Sequence, residues 1–201
     1  MNSKQKNKLI LASGSPRRKE MLGISGIEFS VIPANIDEAP KKNESGKDYV
    51  KRNAFEKAVA VYKNFSQQEN AIILSADTIV VTKNDVILEK PLSEEHAQNM
   101  LQLLSNDSHL VYTGYTLLQN GAELISRVIE TIVTFRKISN EEINAYIASK
   151  EPFDKAGGYG IQGKAMGFVT NVNGSYTNVI GLPLAEVLMD LANYANIKPF
   201  Q

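Results

Sequence analysis

Two carboxylates, Glu38 and Asp77, two lysines, Lys57 and Lys90, and the adjacent Arg17 and Arg18 are the residues whose types and places could together handle a phosphorylated substrate. The arginines follow Ser13-Gly14-Ser15-Pro16, a small-residue turn into a helix with Ser15 as expected N-cap and Pro16 as first helical residue. Cations there oppose the positive end of the helix dipole. A polyphosphate reverses that penalty, because unpaired N–H groups, the Ser13 and Ser15 hydroxyls and two guanidinium forks can all donate to its oxygens. The alternative is pairing of both arginines with surface carboxylates such as Glu20.

Asp77, with Thr78, interrupts the apolar run AIILSADTIVV. An ionised carboxylate in such a run is costly unless a cation, a metal or hydrogen-bond donors offset it. The other reading is a structural aspartate at a strand end. Lys57 lies along the edge of a helix face formed by Val50, Ala54, Ala58, Val61 and Phe65, while Lys51, Arg52, Glu56 and Lys63 take the opposite face. It either emerges at the core boundary as a functional cation or snorkels to solvent. Glu38 and Lys90 each end a strand-like run, where an open α/β sheet displays functional groups. Together these side chains offer what phosphoryl chemistry uses: metal ligands, a water activator and charge neutralisation.

The elements that must position them alternate along the chain. KLILA (8–12), FSVIPANI (29–36), AIILSADTIVV (71–81) and VILEKP (86–91) read as strands; helices are expected from Pro16, over 47–65 and from Ser93. Two long strand-like runs flank Asn120-Gly121, a strong hairpin signal. Ser139 and Glu142 form a capping box for a helix ending near Lys150. Residues 151–167 form a glycine-rich loop too long and polar for an idle linker. A second hairpin is expected around Asn173-Gly174, and a last helix over 183–194. The pattern predicts a mixed α/β fold, a long twisted sheet with helices packed on it, in a single domain over 1–201.

Composition narrows the function. Lys plus Arg and Asp plus Glu both number 22, so the net charge is zero and no broad electrostatic grip on nucleic acid is expected. The absence of cysteine excludes disulfides, thiolate metal sites and a cysteine nucleophile, and is compatible with a reducing cytosol. The polar start MNSKQKNK predicts neither a secretory signal nor a membrane span. With only His96 and His109, a divalent ion would need oxygen ligands, which favours Mg2+ or Mn2+ over zinc. No Walker-type phosphate loop and no G-x-S-x-G elbow is present.

SGSPRRKEML (13–22), NAFEKA (53–58), SADTIV (75–80), EKP (89–91), DKAGGYGIQG (154–163) and NGSYTNVIGLPL (173–184) run in order over nearly the whole chain. In these segments the sequence resembles the Maf family of nucleoside triphosphate pyrophosphatases. The resemblance implies a fold similar to inosine triphosphate pyrophosphatases, an elongated mixed sheet with flanking helices and a central cleft. It implies hydrolysis of the α–β phosphoanhydride of a nucleotide, with a divalent cation, in the cytoplasm. By the same resemblance Asp77 is the catalytic base within a polar set of Ser13, Arg17, Arg18, Glu38, Lys57, Asp77 and Lys90. Arg17, Thr78 and Gln162 stand where the branch acting on dTTP and UTP has its specificity residues. Gly158 stands where the family often has Ala, and Lys164-Ala165-Met166 follows in a variable stretch.

On that reading Asp77 and Glu38 hold the metal, Asp77 activates water, and Lys57, Lys90 and the arginines neutralise the departing pyrophosphate. Gln162 suits a pyrimidine because its amide pairs a donor and an acceptor with O4 and N3–H of uracil or thymine; the alternative is a glutamine satisfying loop backbone. A broader house-cleaning pyrophosphatase for modified nucleotides is the rival within enzymes. The family's association with division arrest leaves a non-enzymatic regulator of septum formation as the rival outside them. A homodimer is compatible with the resemblance; neither stable nucleic-acid binding nor membrane association is expected.

Overall fold

The computed structural model describes residues 7–64 and 71–200. The polar lead at 1–6 and Phe65 of the expected apolar stripe lie outside the described residues. The elements are β1 (Lys8–Leu11), α1 (Pro16–Ile24), β2 (Phe29–Val31), α2 (Gly46–Asn64), β3 (Ala71–Val81), β4 (Ile87–Leu88), α3 (Glu94–Leu104), β5 (Ser108–Gln119), β6 (Ala122–Phe135), α4 (Asn140–Ala148), β7 (Val169–Asn173), α5 (Tyr176–Ile180) and α6 (Leu184–Ala195). Hydrogen bonding orders the strands β2-β1-β3-β5-β6-β7, with β4 beside β3. Parallel pairing of β1 with β2 and β3, and antiparallel pairing of β3 with β4 and β6 with β7, make the seven-stranded sheet mixed. The mixed α/β class expected from the sequence is the one the chain adopts.

The chain divides into two compact units. One gathers Met1–Asp77, Thr113–Val128 and Gly181–Gln201; the other gathers Thr78–Tyr112 and Ile129–Ile180. In the first unit, Leu9 pairs with both Phe29 and Ile72, so β1 is covered on both edges. Ala58 and Val61 of α2 pack on Ile10, Ala71 and Ile73, which alternate onto one face of their strands. In the second unit, α3 and α4 bury Met100, Leu101, Ile143 and Ile147 with Val80, Val133 and Phe135. Among the described residues no helix is long and apolar enough to cross a membrane.

Several local signals act as the sequence predicts. Asn120 and Gly121 both take positive φ, 50° and 79°, in the two-residue turn between β5 and β6. Ser93 caps α3 by accepting from the His96 N–H (3.0 Å), and the Ser139–Glu142 capping box is complete. Three expectations fail. The strand over 86–91 pairs only at Ile87–Leu88, so Lys90 lies beyond it. The strand over 29–36 stops at Val31: Ile32 N–H still donates to Leu11 O (3.0 Å), but Pro33 has no N–H to continue the ladder. The hairpin around Asn173-Gly174 does not form either. Ser175 is held to Thr131 through both its N–H and its C=O (each 3.1 Å), and its hydroxyl accepts from Asn178 N–H (3.2 Å), which opens helix α5 instead of a strand.

Candidate phosphate and carboxylate site

The first unit carries the site's charged centre. Beyond β1, Ala12 N–H donates to Leu74 O (2.7 Å), which keeps the Ser13-Gly14-Ser15 turn against β3. Ser15 has the extended backbone of an N-cap, but its hydroxyl makes no capping bond, contrary to expectation. Ser13 takes the turn-holding role: its buried Oγ accepts from Ser15 N–H (3.2 Å) and from Arg18 Nη1 (3.3 Å). Arg18 Nε donates to Gly181 O (2.7 Å), fixing the guanidinium from its other side. Burial lowers the Arg18 pKa from its ordinary value, while the fields of Asp77 and Glu38 oppose that shift and Arg17 adds to it. Arg17 and Ser15 are half-buried on the same turn, whose helix has no acidic residue in its first turn.

Asp77 is delivered by β3 and Lys57 by α2. Ser75 and Asp77, two apart on the strand, share the face that meets the helix: Ser75 Oγ donates to Ala54 O (2.5 Å), and Asp77 Oδ1 accepts from Lys57 Nζ (2.7 Å). Lys57 does not snorkel. Its ammonium also reaches Glu38 Oε2 at 2.9 Å, so one cation joins a buried carboxylate to one that is about half exposed. Asn53, one helical turn before Lys57, is fully buried and donates from Nδ2 to Asp77 Oδ2 (3.3 Å).

Glu38 sits on the loop between β2 and α2, and Arg52 ties this loop down. Arg52 donates to both carboxylate oxygens of Glu44 (2.6 and 2.8 Å) and to Ala39 O (3.2 Å). The fork pulls the Glu44 carboxyl down to about 2. Arg52 was expected on the solvated face of α2; instead its side chain is only 13% exposed and is spent on this loop and on its neighbour Asn53. Helical periodicity misses this role of Arg52, because a long guanidinium stem reaches around the helix from a position that a wheel assigns to solvent.

The sequence set is brought together in part. Ser13, Arg18, Glu38, Lys57 and Asp77 form one charged cluster in the first unit, whereas Thr78, Lys90 and Gln162 belong to the second. Thr78 is half-buried and, following Asp77 on β3, points to the opposite face of the strand. Lys90 is exposed just beyond β4, which is only two residues long. Gln162 is exposed in a turn held by Glu151, whose carboxylate accepts from Tyr146 OH (3.1 Å) and Lys164 N–H (3.0 Å). Gly163 permits this approach, since a Cβ there would stand 2.0 Å from Glu151 Oε1.

Among the described residues no three His, Asp or Glu side chains gather as a metal-binding group. Two convergent carboxylates nevertheless fit Mg2+ or Mn2+ of the kind that keeps several waters and draws other ligands from substrate phosphates. The cation now between them is Lys57.

The Maf-like protein family matches residues 8–194. The chain is 46% identical over 187 residues to a dTTP/UTP pyrophosphatase of Bacillus cereus, covering 93% of this chain and 95% of that protein. It is 42% identical over 191 residues to a dTTP/UTP pyrophosphatase of Syntrophus aciditrophicus, covering 94% and 91%. A solved HAM1 protein from Coxiella burnetii superposes with a TM-score of 0.55 at 16% identity, over 93% of this chain and 99% of that one, a likeness of fold. With the match spanning both units and every motif from the Ser-Pro-Arg-Arg turn to α6, the chain belongs to the Maf-like family.

Proposed function

We propose that the chain is a nucleoside triphosphate pyrophosphatase that hydrolyses dTTP and UTP to the monophosphate and pyrophosphate, acting on cytoplasmic nucleotides. The observation that carries this reading is the Lys57 ammonium held between Asp77 and Glu38, with Arg18 in the field of both carboxylates. The names of relatives more than 40% identical over most of the chain support the substrate.

In this mechanism Arg17, Arg18, Ser13 and the N–H groups opening α1 receive phosphate oxygens, and Lys57 shifts from its carboxylate partners toward the incoming negative charge. Asp77 accepts a proton from the water that attacks the α-phosphorus, and the bond from that phosphorus to the bridging oxygen breaks as pyrophosphate leaves. A Mg2+ or Mn2+ held by Asp77 and Glu38 would supply Lewis-acid stabilisation of the phosphoryl charge. Gln162 is assigned base reading on its side-chain chemistry alone.

The test is pyrophosphate release across a panel of ordinary and modified nucleotides, with and without Mg2+ or Mn2+. UTP and dTTP should lead and the metal should be required. A purine preference contradicts the substrate, and a preference for modified pyrimidines favours the house-cleaning reading.

A further inference from the structure

Asn53 lies between a group that can only donate and one that, when ionised, can only accept. Arg52 Nη1 donates to Asn53 Oδ1 (2.9 Å), and Asn53 Nδ2 donates to Asp77 Oδ2 (3.3 Å). A flipped amide would set N–H against guanidinium and oxygen against carboxylate, so the two neighbours select one orientation. Arg52 itself has no spare donor. Its five N–H groups face Glu44 Oε1, Glu44 Oε2, Glu56 Oε2 (3.1 Å), Ala39 O and Asn53 Oδ1. One guanidinium therefore fixes both the amide that touches Asp77 and, through Ala39 and Glu44, the loop that carries Glu38.

We propose that Arg52 and Asn53 are positioning residues for the hydrolysis: Arg52 orients the Asn53 amide, Asn53 holds the Asp77 carboxylate in one rotamer, and the rest of the Arg52 fork sets the Glu38 loop. The inference rests on the assignment of Asp77 as catalytic base. Lys57 grips Asp77 Oδ1 and Asn53 grips Oδ2, so the plane of the carboxylate is fixed from two points on one helix. Lys57 must be free to answer the substrate's charge; Asn53, neutral and fully buried, keeps its place when it does.

The test is a double-mutant cycle between Asn53→Leu and Asp77→Asn, read as kcat for UTP and as UTP affinity by calorimetry. Asn53→Leu alone should lower kcat by about tenfold, the loss of one hydrogen bond to a charged group, with UTP affinity within about twofold of wild type. In the Asp77→Asn background the same change should lower the residual rate no further. An equal loss in both backgrounds, or a fall in affinity in place of kcat, overturns the proposal. A second measurement needs no Asn53 variant: the wild-type Asn53 side-chain amide protons should exchange slowly with solvent and move in the NMR spectrum on Asp77→Asn and on Arg52→Lys. Fast exchange, or resonances unmoved by either change, overturns it equally. Full turnover in Asp77→Asn would instead strike the base assignment, and this inference with it; additivity in the cycle strikes the positioning alone.

Discussion

An ammonium between two carboxylates draws on both of them, and unequally where their burial differs. Lys57 and Asp77 are both nearly excluded from solvent, whereas Glu38 is about half exposed, so the three do not contribute alike. Replacing Lys57 by Met leaves Asp77 buried without its counter-charge and should cost about 3 kcal/mol of stability, read from urea unfolding at neutral pH. Glu38→Gln should cost less than about 1 kcal/mol in the same assay, because Glu38 is itself half solvated and Lys57 retains Asp77. An equal loss in the two variants would contradict this division. At this scale the sequence was partly legible. A carboxylate inside an apolar strand and a lysine on an apolar helix edge each violate the local pattern, and those violations identified Asp77 and Lys57. Asn53 breaks no visible rule, because a neutral amide on a helix is unremarkable until its two partners are seen.

At the scale of elements, the second unit holds its glycine-rich segment with a buried histidine. His109 Nε2 lies 2.7 Å from Tyr159 OH, and the His109 ring packs edge-on against Phe135 and Tyr159. Burial pulls the His109 pKa from 6.5 to about 4, with Asp107 opposing the shift. The unfolded chain therefore takes up a proton that the folded one refuses. The contribution of neutral His109 is intact above about pH 6.5, falls as pH drops toward 4, and levels off below that, by up to about 3 kcal/mol. Urea midpoints from pH 7 to 4.5 should fall more steeply in the wild type than in His109→Gln; parallel curves would contradict this. Nearby, Gly163→Ala puts a Cβ onto the Glu151 carboxylate, which must swing aside and give up its hold on Lys164 N–H, loosening the turn that bears Gln162. UTP selectivity over CTP should drop by about tenfold or more while the fold persists, since a mis-set hydrogen-bonding side chain loses discrimination first. Unaltered selectivity would remove Gln162 from base reading. The Ser139–Glu142 capping box and the Asn-Gly turn were readable because their chemistry is local. The failed hairpin at 173–174 was not, because Thr131, more than forty residues away, decides the course of the chain at Ser175.

For the whole molecule, a net charge of zero means that negative substrate is drawn by a few placed cations and not by a general field. Those cations come from separate stretches of sequence, the first turn of α1 and the middle of α2, and the parallel pairing of β1 with β3 brings those stretches together. That is why the types of residue could be named from the sequence, while their distances and the grip of Arg52 on the Glu38 loop could not. The most direct test of the central claim is to hydrolyse UTP in 18O-labelled water with Mg2+, using the wild type and Asp77→Asn, and to follow products and label together. The account predicts equimolar UMP and pyrophosphate, the label on UMP, and a rate at least ~100-fold lower in the variant, as for removal of a general base. Orthophosphate as the product, label in pyrophosphate, or an undiminished rate in Asp77→Asn would contradict it.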